Sequence, residues 1–217
     1  MVSSSYKAQD IYFSAINSKK TLTYKEMNAI TGSDQWSYYY AKDILKGRFL
    51  EGEESISKNV EFSYYYARDV LKGRFELGEK TISRSVEYSY LYAKNVLKGR
   101  FELGEEVISK DAEYSYRYAR DIVKRSFELG EKTISKYAEY SYLYAKDIIK
   151  GRFELGEEAI SKNGYHSSLY AKEVVKGRFI SAEESIFRDN SASRKFYICL
   201  MENILNKDEL IQFKLEF

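Results

Sequence analysis

Apolar residues in the second quarter of the chain fall at helical spacing. Val60, Tyr64, Ala67 and Leu71 stand at i, i+4, i+7 and i+11, and Tyr66 and Val70 widen the stripe. Asn59 is placed to cap the start, and Glu61 suits the positive end of the helix dipole. Lys72 followed by Gly73 is a usual helix stop. The spacing therefore predicts a helix over 60–72. Phe75, Gly78, Glu79 and Ile82 then share a face at i, i+3, i+4 and i+7, which predicts a shorter helix ending near Arg84.

This long-then-short pattern recurs every 26 residues. Ala stands at 41, 67, 93, 119, 145 and 171, and Phe at 49, 75, 101, 127, 153 and 179. Glu recurs from Glu53 to Glu183 and Ile from Ile56 to Ile186 in the same frame, with no insertion between Ser37 and Ala192. Counting back 26 places from Ala41 and Ile56 gives Ala15 and Ile30, so residues 1–36 read as a degenerate N-terminal unit. Residues 193–217 read as a C-terminal cap, with Phe196 in the slot where Tyr170 predicts an aromatic. Neither helix can bury its apolar face alone, but stacked hairpins can. The expected fold is all-α: a single α-solenoid domain over 1–217, built of hairpins with a long helix A and a short helix B, with atypical capping units at both ends.

Composition narrows the function classes. Lys+Arg total 35 and Asp+Glu 33, a net charge of +2, so no overall preference for a polyanion follows. With one cysteine, Cys199, no intramolecular disulfide can form. The opening MVSSSYKAQD has no signal-peptide pattern, and no apolar run approaches the roughly 18 residues of a membrane span. The chain is expected in the cytoplasm, with no membrane partner.

Three kinds of repeated residue carry candidate chemistry. Arg48, Arg74, Arg100, Arg152 and Arg178 each precede by five residues Glu53, Glu79, Glu105, Glu157 and Glu183, which suggests a charge pair in each unit rather than a row of anion sites. The fourth unit breaks the ladder: Arg125 comes one place early, Ser126 fills the Arg slot and the turn glycine is lost. A local distortion or a specialised spot is expected there. Two tyrosine ladders, Tyr40 to Tyr170 and Tyr64 to Tyr142, flank the apolar stripe and suit packing between units, with hydroxyls at the solvent edge. Basic columns run through Lys42, Arg68, Lys94, Arg120, Lys146 and Lys172 and through Lys46, Lys72, Lys98, Lys124, Lys150 and Lys176. Such rows can track phosphates while tyrosines stack bases, although Asp43, Asp69, Asp121, Asp147 and Glu173 stand beside the first.

The columns that vary between units are the candidate protein-binding surface. Tyr39, Tyr65, Leu91, Arg117, Leu143 and Leu169 point away from the core on the helical wheel, beside Trp36, Phe62, Tyr88, Tyr114, Tyr140 and His166. Enzyme signals are poor. His166 is the only histidine and occupies an aromatic slot; Cys199 lies in the apolar run FYICLMENIL and reads as core; the glycines read as helix punctuation. Neither a cofactor nor a metal is expected.

The unit Tyr66-Ala67-x-x-Val70-Leu71-Lys72-Gly73-Arg74-Phe75-Glu76-x-Gly78-Glu79-x-x-Ile82 resembles tandem repeats in proteins of tailed bacteriophages and some bacteria, over residues 37–189. Those repeats often carry a proline before helix A, and this chain has none. The resemblance implies a small cytosolic phage or bacterial protein, in the host cytoplasm if phage-encoded, and brings no activity or site residue with it. The reading is a non-enzymatic scaffold that binds a macromolecular partner, a protein in the first instance, such as a host factor occluded by a phage product. One alternative is nucleic-acid binding along the Lys/Arg columns. Another is an assembly component that self-associates through the tail IQFKLEF, whose alternation suggests a short strand.

Overall fold

A computed structural model describes residues 4–18, 22–189 and 191–216. The chain forms two compact units, Met1–Ile108 and Ser109–Phe217. The first holds α1 (Ser4–Ser18), α2 (Tyr24–Thr31), α3 (Asp34–Tyr39), α4 (Glu53–Ile56), α5 (Val60–Tyr65), α6 (Glu76–Ile82), α7 (Val86–Tyr92) and α8 (Glu102–Ile108). The second holds α9 (Ala112–Tyr118), α10 (Glu128–Ile134), α11 (Ala138–Tyr144), α12 (Glu154–Ser161), α13 (Gly164–Tyr170), α14 (Glu183–Arg188), α15 (Ser191–Ile204) and α16 (Lys207–Glu216). Among the described residues there is no strand. Each unit is an array of repeated helical hairpins, and the fold is an all-α solenoid.

In the first unit α3, α5 and α7 stack side by side as the A helices, and α4 and α6 pack alongside as B helices. The second repeats this with α9, α11 and α13 against α10, α12 and α14. The core lies between the two layers and consists of the repeated residues: Tyr66, Ala67, Phe75 and Ile82, with their counterparts, are buried. Burying each large ring or branched side chain is worth about 1.5–3 kcal/mol relative to exposure, which offsets the ordering of helices too short to be stable alone. Ala15 and Ile30 are buried as well, so the frame extends into the N-terminal residues.

Helix A differs from the expected uniform helix over 60–72. It is α-helical to Tyr65 and then widens to a π-helical turn, Tyr66–Leu71. The backbone N–H groups of Lys72 and Gly73 both donate to the Ala67 carbonyl, which ends the helix. The residue that takes the left-handed conformation is Lys72 (φ 52°), and its equivalents from Lys46 to Lys176 do the same. The following glycines have negative φ. This explains why the backbone of the fourth repeat is not distorted, which leaves the other expected outcome, a specialised spot. Arg125 replaces a glycine that needed no special conformation, and Lys124 (φ 56°) turns the chain like its counterparts.

The second glycine of each repeat is a packing residue rather than punctuation. A Cβ on Gly78 would stand 2.5 Å from the Phe75 ring and 2.9 Å from Ser63 Cβ. Ser63 is itself fully buried and donates to the Ile56 carbonyl at 3.0 Å. Small residues facing each other thus let helix B lie close against helix A.

The C-terminal cap departs twice from the sequence reading. Tyr197, rather than Phe196, takes the ladder slot, one residue out of frame. The tail is helical: Ile211 to Glu216 lie in α16, whose Phe213 is buried against Phe187 and Tyr197, and Phe217 lies outside the described residues. An alternating apolar pattern of this length also fits a helix that buries one ring and leaves Ile211 and Leu215 exposed.

Candidate partner-binding surface

Two hydroxyl networks join neighbouring repeats and account for most of the candidate residues. In the first, Tyr66 Oη accepts from Phe49 N at 2.8 Å and donates to Glu53 Oε1 at 3.0 Å. Arg48 clamps the same carboxylate through Nε (2.6 Å) and Nη2 (2.9 Å). Tyr92, Phe75, Glu79 and Arg74 repeat the arrangement, as do Tyr170, Phe153, Glu157 and Arg152 in the second unit. Arg100–Glu105 and Arg178–Glu183 are paired at 2.7 Å. The Arg–Glu ladder is structural in its geometry. These tyrosine hydroxyls are inside the network rather than at the solvent edge, and burial pushes the pKa of Tyr66 and Tyr92 well above the ordinary value.

The second network runs along the A helices. Tyr38 Oη donates to Asp69 Oδ2 at 2.8 Å, Tyr142 Oη donates to Glu173 Oε2 at 2.6 Å, and Asn95 Nδ2 donates to Tyr64 Oη at 2.8 Å. The first basic column closes onto it. Arg68 pairs with Asp69 at 2.5 Å, Arg120 with Asp121 at 2.7 Å and Lys146 with Glu173 at 2.7 Å, while Lys94 Nζ donates to Tyr90 Oη at 2.9 Å. Lys42 lies 3.6 Å from Asp69, and Lys172 stands over the Phe196 ring. At Arg68, Arg120 and Lys146 the charge is compensated by a carboxylate, which weakens this column as a track for phosphates.

The second basic column is different. Lys46, Lys72 and Lys98 in the first unit, and Lys124, Lys150 and Lys176 in the second, are exposed and form no ion pair among the described residues. Each occupies a left-handed position that a glycine would fill more cheaply.

The aromatic columns expected to face outward are mostly spent on packing. Trp36 is buried under Tyr12 and Phe13. Phe62, Tyr88, Tyr140 and His166 are half-buried, with ring contacts to Tyr38, Tyr64, Tyr116 and Tyr142 of the preceding repeat. Tyr39, Tyr65, Leu91, Tyr114, Leu143 and Leu169 are half-buried too. Arg117 is exposed and paired with Glu113 at 2.6 Å. Desolvation holds the His166 imidazole below its ordinary pKa, with the Glu139 charge opposing. Cys199 is exposed, not core, because α15 turns it away from the buried Tyr197 and Met201.

The apolar surface that sequence reading missed lies on helix B. Leu77 and Leu103 in the first unit are 56% and 61% exposed; Leu129 and Leu155 in the second are 61% and 57% exposed. The signal was present: a leucine kept two places after the Phe in four consecutive repeats, off the i, i+3, i+4, i+7 face. Beside Leu77, a cleft of about 600 Å³ is lined by Leu71, Phe75 and Leu77 together with the charged Arg48, Glu53, Arg74 and Glu76. Beside Leu155, a groove of about 720 Å³ is lined by Lys132, Lys136, Ala138, Leu155 and Ala159 among others.

Among the described residues no three His, Cys, Asp or Glu side chains converge on a metal-sized site, and no helix is long and apolar enough to cross a membrane. Compared with protein-family models, with curated proteins and with solved structures, the chain matches none.

The networks make stability pH-dependent in a defined direction. Asp69, held by Arg68, and Glu173, held by Lys146 and Tyr142, have pKa values below their ordinary values of 3.8 and 4.5. Folded carboxylates with depressed pKa contribute stability that is complete above the unfolded value and lost as pH falls through the folded one. The urea midpoint is therefore expected to be flat from pH 7 to about 5 and to fall below about 4.5. Glu173→Gln should flatten part of that fall; an unchanged slope would show that the pair contributes nothing.

Proposed function

We propose that this chain is a non-enzymatic repeat scaffold that binds a protein partner through the B-helix face of its repeats. The observation that carries this reading is the repeated exposure of Leu77, Leu103, Leu129 and Leu155. An apolar side chain left in water at the same place in successive repeats gains nothing for the fold but gives a partner an anchor in each repeat. The clefts beside Leu77 and Leu155 set charged side chains next to that anchor, Arg48 and Arg74 at the first and Lys132 and Lys136 at the second. Following the resemblance to phage repeats, the partner is a bacterial factor met in the cytoplasm, which the scaffold occludes.

The test is capture from bacterial lysate by the tagged chain and by a Leu77→Glu/Leu103→Glu variant, each with and without nuclease. One protein recovered with the parent, indifferent to nuclease and lost with the variant, is the expected result. A second reading, nucleic-acid binding, is favoured only by the uncompensated lysines at left-handed turns, Lys46 to Lys176. Under it, nucleic acid is recovered equally by both chains and released by modest salt, and that outcome overturns the protein reading.

A further inference from the structure

The fourth repeat keeps the acid of the Arg–Glu ladder without its arginine. Tyr144 Oη accepts from Phe127 N at 2.8 Å and donates to Glu131 Oε1 at 2.8 Å, matching the other repeats. The backbone at the slot is unchanged: Phe127 has φ −116° and ψ 80°, against −121° and 79° at Phe75 and −110° and 79° at Phe153. Where those repeats place a guanidinium on the carboxylate, this one has the short side chain of Ser126. Arg125, one residue away, does not take over; among the described residues it makes no hydrogen bond or ion pair. Glu131 is half-buried, whereas Glu53, Glu79, Glu105 and Glu183, each under an arginine, are buried. Glu157 is also half-buried under Arg152, so what sets Glu131 apart is the missing guanidinium and not its burial.

A half-buried carboxylate gains from a cation that restores its lost solvation. Ser126 is too short to supply one, and among the described residues no cation pairs with Glu131, whose Oε1 takes only the Tyr144 hydroxyl. The five sister repeats show which chemical group the slot accepts: a planar guanidinium, with two N–H donors 2.6–2.9 Å from the two carboxylate oxygens. In those repeats the arginine side chains are a quarter to three-fifths exposed, so the group reaches the slot from the solvent side.

We propose that Glu131, with Ser126 and Tyr144, is a receptor for an arginine side chain of the protein partner. The inference rests on the scaffold reading for its partner, but the site itself does not. Arginine is specified over lysine because a point charge cannot satisfy both oxygens of the carboxylate at once.

The test is an NMR titration of the full chain, 15N-labelled at phenylalanine, with Nα-acetyl-arginine amide and, in parallel, Nα-acetyl-lysine amide. A saturable shift of the Phe127 amide is expected at millimolar arginine probe, with the lysine probe weaker by about fivefold or more. Ser126→Arg places the guanidinium in cis, as five repeats already do, and should abolish the shift without unfolding the chain. Glu131→Gln should abolish it as well. No saturable shift, an equal response to lysine, equal movement of the Phe75 and Phe153 amides, or a shift that survives Ser126→Arg would overturn the proposal. Because the probe is a small molecule, its failure leaves the leucine-dependent capture of a protein standing, and failure of that capture leaves this site standing.

Discussion

Replacing Tyr92 by Phe is expected to cost about 2–4 kcal/mol, more than replacing Arg74 by Ser in the same network. The ranking inverts what the charges suggest. Among the described residues Tyr92 Oη alone satisfies the buried Phe75 N–H, at 2.8 Å, and it also donates to Glu79. Removing the hydroxyl orphans a buried donor, worth about 1–3 kcal/mol, and strips a carboxylate that keeps its arginine of one bond, worth about 1 kcal/mol. The Arg74 side chain is 60% exposed. Solvent screens its charge, so its loss is expected to move the urea midpoint much less. The fourth repeat already shows the backbone tolerating serine at this place. Urea denaturation of the two variants beside the parent decides the matter. If Arg74→Ser costs as much as Tyr92→Phe, charge compensation of the buried carboxylate dominates and the hydroxyl is secondary.

That ranking could not be read from the sequence, although its participants could. The 26-residue period, the Ala, Phe and Ile positions and the Arg–Glu spacing of five all follow from one-dimensional pattern, because helical periodicity is local. The Tyr92 bonds reach back 13 and 17 residues to a different hairpin. They depend on how one repeat seats on the previous one, and the spacing does not encode that. The same limit explains the outward columns. A helical wheel for one A helix places Phe62 and Tyr88 on a free face, but the adjoining A helix covers half of it. The leucines of helix B escape notice for the opposite reason. Strict repetition suggests packing, yet repetition marks any role that each repeat plays, exposure included.

The lysines at the helix A termini show how local chemistry can mislead. A Lys-Gly pair after a helix reads as a stop in which glycine takes the left-handed conformation. The π-helical turn moves that conformation one residue earlier, so lysine carries it and glycine does not. The loss of a glycine at Arg125 is therefore harmless, and the fourth repeat differs from the others only in its side chains.

Phe213→Ala is expected to cost about 3–5 kcal/mol, and the loss should appear locally rather than globally. Phe213 is 1% exposed, lies about 6 Å between ring centroids from both Phe187 and Tyr197, and has the Arg178 guanidinium over its face. No other residue of α16 is buried. The ion pairs that also hold the helix, Arg178–Glu216 and Lys214–Glu202, are exposed enough to contribute about 0–1 kcal/mol each. Without the ring, α16 should detach while α13, α14 and α15 stay folded, because a repeat array loses its end before its middle. Limited trypsin digestion should then cut at Lys207 and Lys214 well before any other site. The uncovered Phe187 and Tyr197 should make the variant associate with itself as concentration rises, measured by sedimentation. A variant that resists trypsin and sediments like the parent would mean that the ion pairs, not the ring, seat the cap. Glu216→Gln, expected to leave both measurements unchanged, separates the two accounts.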